Sequence, residues 1–185
     1  MELVRPAREH LASYVAALER DWSPDNVRGL DAAREQLAAI AANPGAFLDS
    51  LDDPSASGRP ITLLDGTQVP RLPGFVRWIW DGEFCGSIGF RWQPGTEALP
   101  PTCLGHIGYA IVPWKRRLGY ATTALASLLP EARRLGLAYV ELTTRPDNTA
   151  SQRVILANGG VFIEEFVIPV ALGGGREWRY RIYSA

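Results

Sequence analysis

Gly105 to Ala121 reads GHIGYAIVPWKRRLGYA, and it passes from an apolar strand pattern into a basic, glycine-bearing turn that opens a helix. Arg116 to Ala121 spell R-x-x-G-x-A. From Thr122 to Leu135, apolar residues fall at Leu125, Leu128, Leu129, Ala132 and Leu135, the three-and-four spacing of a helix with one buried face. The turn therefore lies at a helix N-terminus. There the first backbone N–H groups have no intrahelical acceptor and the helix dipole is positive, so an anion such as a pyrophosphate is stabilised against them. Gly119 offers close approach to the backbone and freedom of φ. The plainer alternative is an ordinary helix-opening turn. Pro130, inside the helix, removes one hydrogen bond and predicts a kink.

Downstream, the pattern alternates. A strand over Ala138–Thr144, a short helix from Asn148 to Asn158 stopped by Gly159, a strand over Val161–Ile168, the Gly173–Gly175 turn and a strand over Glu177–Tyr183 follow one another. Upstream, Phe75–Trp80, Asp81-Gly82 and Glu83–Trp92 carry the clearest hairpin signal in the chain. Trp78, Trp80 and Trp92 fall in it at strand spacing and are expected in the core. The N-terminal part predicts a short strand at Leu3–Arg5, a helix from Pro6 burying Leu11, Tyr14, Val15 and Leu18, and a second helix. For that second helix Ser23 is the candidate cap and Pro24 the first position, with Val27, Leu30, Leu37 and Ile40 buried. Asn43 to Pro73, rich in Pro, Gly, Ser and Asp, reads as a long surface loop with a small hairpin at Asp65-Gly66. Strand–helix–strand crossovers imply parallel pairing and the hairpins antiparallel pairing, so the expected fold is a mixed α/β sheet with helices on both faces.

Composition bounds the function. A chain of 185 residues, 46% hydrophobic and 21% charged, fits one soluble domain, 1–185. A formal net charge of −1 gives no overall attraction for nucleic acid or an anionic membrane, and leaves Lys115, Arg116 and Arg117 as a local basic cluster. Two cysteines, Cys85 and Cys103, form no disulfide framework, and with two histidines the chain lacks metal-ligand spacing. The expectation is a cytoplasmic protein without metal; MELVRPAREH has no apolar signal core, and no run is long enough to span a bilayer. A homodimer is left open.

R-x-x-G-x-A after a strand ending in Val112-Pro113, with N-x-x-S at Asn148–Ser151 and N-G-G at Asn158–Gly160, resembles the GNAT acyltransferase superfamily over Phe75 to Phe166. The G-H-I-G-Y strand and N-G-G ending are similar to a branch of bacterial acetyltransferases within it. The resemblance implies a mostly antiparallel sheet with one splayed parallel pair and an acetyl-CoA core at about 75–166, preceded by a helical part at about 6–43. It implies acetyl-CoA as co-substrate, with its pantetheine arm bonded to the main chain of Ile111 and Val112. The amides of Arg117, Leu118, Gly119, Tyr120, Ala121 and Thr122 would hold the pyrophosphate, and Asn148 and Ser151 would touch the arm. Arg116, Arg117 and Arg153 would meet the ribose phosphate. The implied activity is N-acetyl transfer to a primary amine of a small molecule or peptide; a non-catalytic CoA-binding sensor or interaction module is the alternative.

Acyl transfer needs a neutral amine, donors for an oxyanion and a proton for the thiolate. Many relatives place an acidic tyrosine seven residues after the asparagine; here that position is Ile155. Tyr109, Tyr183 or a water would then supply the proton. His106 stands where relatives carry a strand glutamate that deprotonates the amine, and an imidazole suits that task. A hydrogen-bonded structural histidine is the alternative, with Tyr109, Glu83 or water as base. Glu164 and Glu165 read equally as aids to an amine substrate or as an exposed strand edge.

Overall fold

Phe75 to Trp92 folds as the expected hairpin: β5 (Gly74–Trp80) and β6 (Phe84–Arg91) pair antiparallel, but Glu83, expected in the second strand, joins Asp81-Gly82 in a three-residue turn beside a register shift at Ile79/Trp80. The computed structural model describes residues 1–184. Before the hairpin come β1 (Glu2–Val4), α1 (Arg8–Glu19), α2 (Leu30–Ala42), α3 (Pro44–Ser50), β2 (Asp52–Asp53), β3 (Ile61–Thr62) and β4 (Gln68–Val69). After it come β7 (Ile107–Ile111), α4 (Tyr120–Arg134), β8 (Tyr139–Thr144), α5 (Thr149–Ala157), β9 (Val161–Val167) and β10 (Arg176–Tyr183). One sheet has the order β1-β5-β6-β7 with β2 also on β5, a second has the order β8-β10-β9, and β3–β4 form a separate hairpin around Asp65-Gly66.

Helices cover both faces, as expected of the mixed α/β class. On one face α4 and α5 bring Leu125, Leu128 and Ile155 against Ile79, Ile88, Phe90, Leu142 and Tyr180. On the other, Tyr14, Leu18, Trp22 and Phe47 pack on Trp78, Phe84 and Val112. The Tyr14 ring stacks on Trp78 at 4.4 Å, and burial of each such side chain stabilises by roughly 1.5–3 kcal/mol. α4 continues through Pro130 without a break.

Two N-terminal expectations are corrected. α2 begins at Leu30 rather than Pro24, because the Asp25 carboxylate accepts the amides of Val27 (2.8 Å) and Arg28 (2.9 Å) and folds that stretch into a turn. Val27 and Leu30, expected inside, are 55% and 41% exposed. The supposed loop after Asn43 starts with a helix, α3, whose cap is Asn43 itself: Oδ1 accepts the Ala46 amide at 3.0 Å, with Pro44 at the first position. Phe47 anchors it in the core. Among the described residues no helix is long and apolar enough to cross a membrane, and no three His, Cys, Asp or Glu side chains group as a metal site would require.

Candidate active site

β7 is the last strand of its sheet, and its free edge faces the second sheet. Its register on β6 (Gly89↔Gly108, Ser87↔Ala110), with the Val112 amide donating to the Cys85 carbonyl at 3.0 Å, turns the main-chain groups of Ile107, Tyr109 and Ile111 away from β6. β8 follows through the α4 crossover and lies beside β7 in parallel. The two are joined at one point: the His106 amide donates to the Glu141 carbonyl at 2.8 Å, and the Glu141 amide donates to His106 Nδ1 at 2.9 Å. Beyond it they belong to different sheets, so a wedge opens toward Ile111 and Thr144. Ile111 offers its edge to this wedge, its carbonyl accepting from Arg116 Nε at 3.3 Å. Val112 does not: its amide is taken by Cys85, its carbonyl accepts from Lys115, and it is fully buried, which corrects its expected contact with the pantetheine arm.

At the mouth of the wedge the chain turns through Pro113–Lys115 and then through two left-handed residues, Arg117 (φ +62°) and Gly119 (φ +77°), into α4. The first bond of α4 runs from the Thr123 amide to the Gly119 carbonyl at 3.0 Å. The amides of Arg117, Leu118, Gly119, Tyr120, Ala121 and Thr122 have no protein acceptor among the described residues. A Cβ at Gly119 would meet nothing within 4 Å, so the positive φ, and not crowding within the chain, is what calls for glycine here.

Tyr109 and Ser151 meet across the wedge: the phenol and Ser151 Oγ are 2.9 Å apart, and the phenol also lies 3.3 Å from the Ser151 carbonyl. Burial pushes the Tyr109 phenol up to about 12, so it stays protonated. Asn148 caps α5, its Oδ1 accepting the Ser151 amide at 3.1 Å, and so places the serine at the first turn of the helix. Ile155 is fully buried under α5 and points into the core. Tyr183 lies opposite Tyr139, at the closed end of β8, which removes it as a proton donor at the mouth.

Residues 3–161 match the family model described as the acetyltransferase (GNAT) domain. The chain belongs to the GNAT acetyltransferase family. Its fold is similar to that of Mycobacterium smegmatis RimJ in complex with CoA-disulfide, with TM-score 0.66 and 19% identity over 98% of this chain and 81% of that one. The microcin self-immunity acetyltransferase MccE, solved with acetyl-CoA and AMP, gives 0.64 and 12% over 98% and 91%. A Vibrio cholerae protein assigned by inference as a ribosomal-protein-serine acetyltransferase gives 0.59 and 14% over 98% and 92%. No curated protein matches the sequence.

In this GNAT acetyltransferase His106 does not present a base. The side chain is fully buried, and Nδ1 accepts a backbone amide, so the neutral ring carries its proton on Nε2 and has no lone pair left for an amine. Burial holds the imidazole down at about 4. The unfolded value is about 6.5, so the unfolded chain takes up the proton first as pH falls. Stability is therefore present above about pH 6.5 and is lost as pH falls toward 4, by at most about 3 kcal/mol. Denaturant titration of the wild type and His106→Gln across that window should show the loss shrinking in the variant; equal pH slopes would refute it.

The other charged candidates divide between those paired with an opposite charge and those that are exposed. Glu83 is tied to Lys115 at 2.8 Å, Glu164 to Arg179 at 2.9 Å and Glu165 to Arg176 at 2.8 Å. Arg116, Arg117 and, on α5, Arg153 are exposed. Since exposed charges are screened once the Debye length falls to about 3 Å at 1 M salt, alanine at Arg116 and Arg117 together should weaken CoA binding at low salt and matter little at high salt. A penalty independent of salt in calorimetric titrations would contradict this. A groove of about 550 Å³ lies away from the phosphate turn, lined by Val27, Arg28, Asp31, Arg34, Glu35 and Leu64. Its charges pair with one another, Arg28 with Glu35 and Arg34 with Asp31.

Proposed function

We propose that the protein transfers the acetyl group of acetyl-CoA directly to a primary amine of a small molecule or peptide. As a GNAT acetyltransferase it uses acetyl-CoA as co-substrate. The observation that carries this reading is the run of unpartnered amides at Arg117–Thr122 beside the free edge of β7: one feature suits a pyrophosphate, the other an extended amide-bearing arm. Asn148, Ser151 and the exposed guanidinium groups of Arg116, Arg117 and Arg153 complete the proposed cofactor site.

The chemistry follows from the wedge. The Tyr109 amide, turned away from β6, is a donor for the oxyanion that forms as the amine nitrogen bonds to the thioester carbon. When the carbon–sulfur bond breaks, the net movement is one proton from nitrogen to sulfur. A phenol held near 12 is too weak an acid to protonate a thiolate outright, whose ordinary value lies near ~8.5. The adjoining hydroxyls of Tyr109 and Ser151 can instead relay: one hands a proton to sulfur as the pair receives another from nitrogen. No separate side-chain base is then required beyond an amine that arrives neutral, which agrees with the burial of His106. The two free thiols, Cys85 and Cys103, suit a reducing cytoplasm.

Thiol release from acetyl-CoA against a panel of small amines and peptides with free N-termini tests the activity. Because the acceptor must be neutral, kcat/KM should rise with pH toward the pKa of the amine used, and move with it from one acceptor to the next. CoA binding without release by any amine would favour the non-catalytic sensor or interaction module.

A further inference from the structure

The phosphate turn has few bonds of its own. Between Val112 and Tyr120 its internal main-chain bonds are Lys115 to Val112 at 3.0 Å and Arg116 to Pro113 at 3.4 Å, and the next is the Thr123 to Gly119 bond at 3.0 Å that opens α4. Arg117 sits in the left-handed region, which costs a non-glycine residue about 1–2 kcal/mol, and the next amides have no acceptor. A restraint from outside the turn would lower the cost of ordering those amides for a ligand.

Asp81 supplies a restraint of the right kind. It sits in the tight turn between β5 and β6, part of a rigid hairpin, and its carboxylate reaches both ends of the phosphate turn. Oδ2 accepts from the Tyr120 phenol at 2.6 Å, and Lys115 Nζ donates to both oxygens at 3.1 and 2.9 Å. Lys115 extends further to Glu83 Oε1 at 2.8 Å. Lys115 lies two residues before left-handed Arg117 and Tyr120 is the first residue of α4, so the two contacts bracket Arg116–Gly119. The Lys115 and Asp81 side chains are 18% and 16% exposed, which lessens the screening that makes most surface pairs worthless. The Tyr120 and Lys115 contacts hold the carboxyl well below the usual carboxylate range. Lys115 thereby spends its charge on two carboxylates, leaving the amides and not its ammonium group to meet the pyrophosphate.

We propose that Asp81 is a positioning residue for the co-substrate: by clamping Lys115 and Tyr120 it preorganises the Arg117–Thr122 amides, and it never touches CoA itself. The proposal rests on the assignment of that turn as the pyrophosphate site. Asp81→Asn keeps the size and one acceptor oxygen but loses the charge; Tyr120→Phe keeps the ring and loses the donor. Each should weaken CoA binding about tenfold, an ordering cost of the size that preorganisation removes. The double variant should be only slightly worse than either single one, because both break one device. Pantetheine, which lacks the pyrophosphate, should bind wild type and variants alike in an NMR titration. Variants that bind CoA within twofold of wild type would overturn the clamp while leaving the site assignment intact. Equal weakening of CoA and pantetheine would overturn it too, by showing a general structural fault. A wild type that binds no CoA would instead overturn the site assignment, and the clamp with it.

Discussion

Gly119→Asp should abolish measurable CoA binding while the protein remains folded. Gly119 is the N-cap of α4 at φ +77°, with nothing within 4 Å of the position its Cβ would take. A side chain there meets no clash, and aspartate tolerates the left-handed region better than most residues. The fold is therefore spared. The ligand is not, because a carboxylate at an N-cap turns onto the amides of the first helical turn, the donors assigned to the pyrophosphate. It both occupies those donors and places a negative charge where a negative group must dock. Hydrogen bonds to charged groups contribute about 1.5–3 kcal/mol each, so losing two of them corresponds to roughly 10²–10⁴ in affinity before any repulsion is counted. Calorimetric titration of CoA into both proteins, with circular dichroism to verify folding, checks this. Gly119→Ala separates the two effects: it carries the backbone strain without the charge, and its loss should be far smaller. Equal affinities for wild type and Gly119→Asp would move the pyrophosphate site elsewhere.

What the sequence reveals and hides at this site follows from the range of the interactions. The phosphate turn is legible because the features that mark it are local: a strand, a glycine that must take positive φ, and a helix whose unpartnered amides lie within a few residues of one another. Asn148 is legible for the same reason, as a cap acting three residues ahead on Ser151. The start of α2 is masked by a competition inside one short segment, where Ser23-Pro24 spells a helix start but Asp25 draws the next amides into a turn. α3 was hidden by its glycine and proline, although Asn43-Pro44 carries a cap and first-turn signal. Asp81 shows no signal at all: it reads as half of a hairpin turn, and its partners Lys115 and Tyr120 lie 34 and 39 residues away. His106 shows a different limit. Alternation fixes which side of β7 it shares with Gly108 and Ala110, but not that β8 closes over it and takes its Nδ1. Val112 likewise reads as strand edge until the register on β6 assigns its amide to Cys85.

Removing either hydroxyl of the Tyr109–Ser151 pair should slow turnover about 10²-fold, within the 10²–10⁴ that positioned acid–base groups contribute; CoA affinity should stay nearly unchanged in Tyr109→Phe and fall only a few-fold in Ser151→Ala, whose hydroxyl also belongs to the proposed cofactor site. Tyr109→Phe keeps the partly buried ring and its packing on the core, so stability should change little. Ser151→Ala removes Oγ and leaves the Asn148 cap, which uses the serine's backbone amide and not its side chain. The hydroxyls lie 2.9 Å apart and would act as one relay, so the double variant should fall only a few-fold below either single one; groups that work as a unit lose most of their effect with the first deletion. A solvent isotope effect on kcat should be present in the wild type and change in both variants if proton movement accompanies carbon–sulfur cleavage. The pH dependence adds a separate check: the rising limb belongs to the amine and should survive in Tyr109→Phe. Independent, multiplicative losses would mean that the two hydroxyls act apart, one on sulfur and one elsewhere. Turnover within a few-fold of wild type in both variants would dismiss the relay and leave bound water to carry the proton from nitrogen to sulfur.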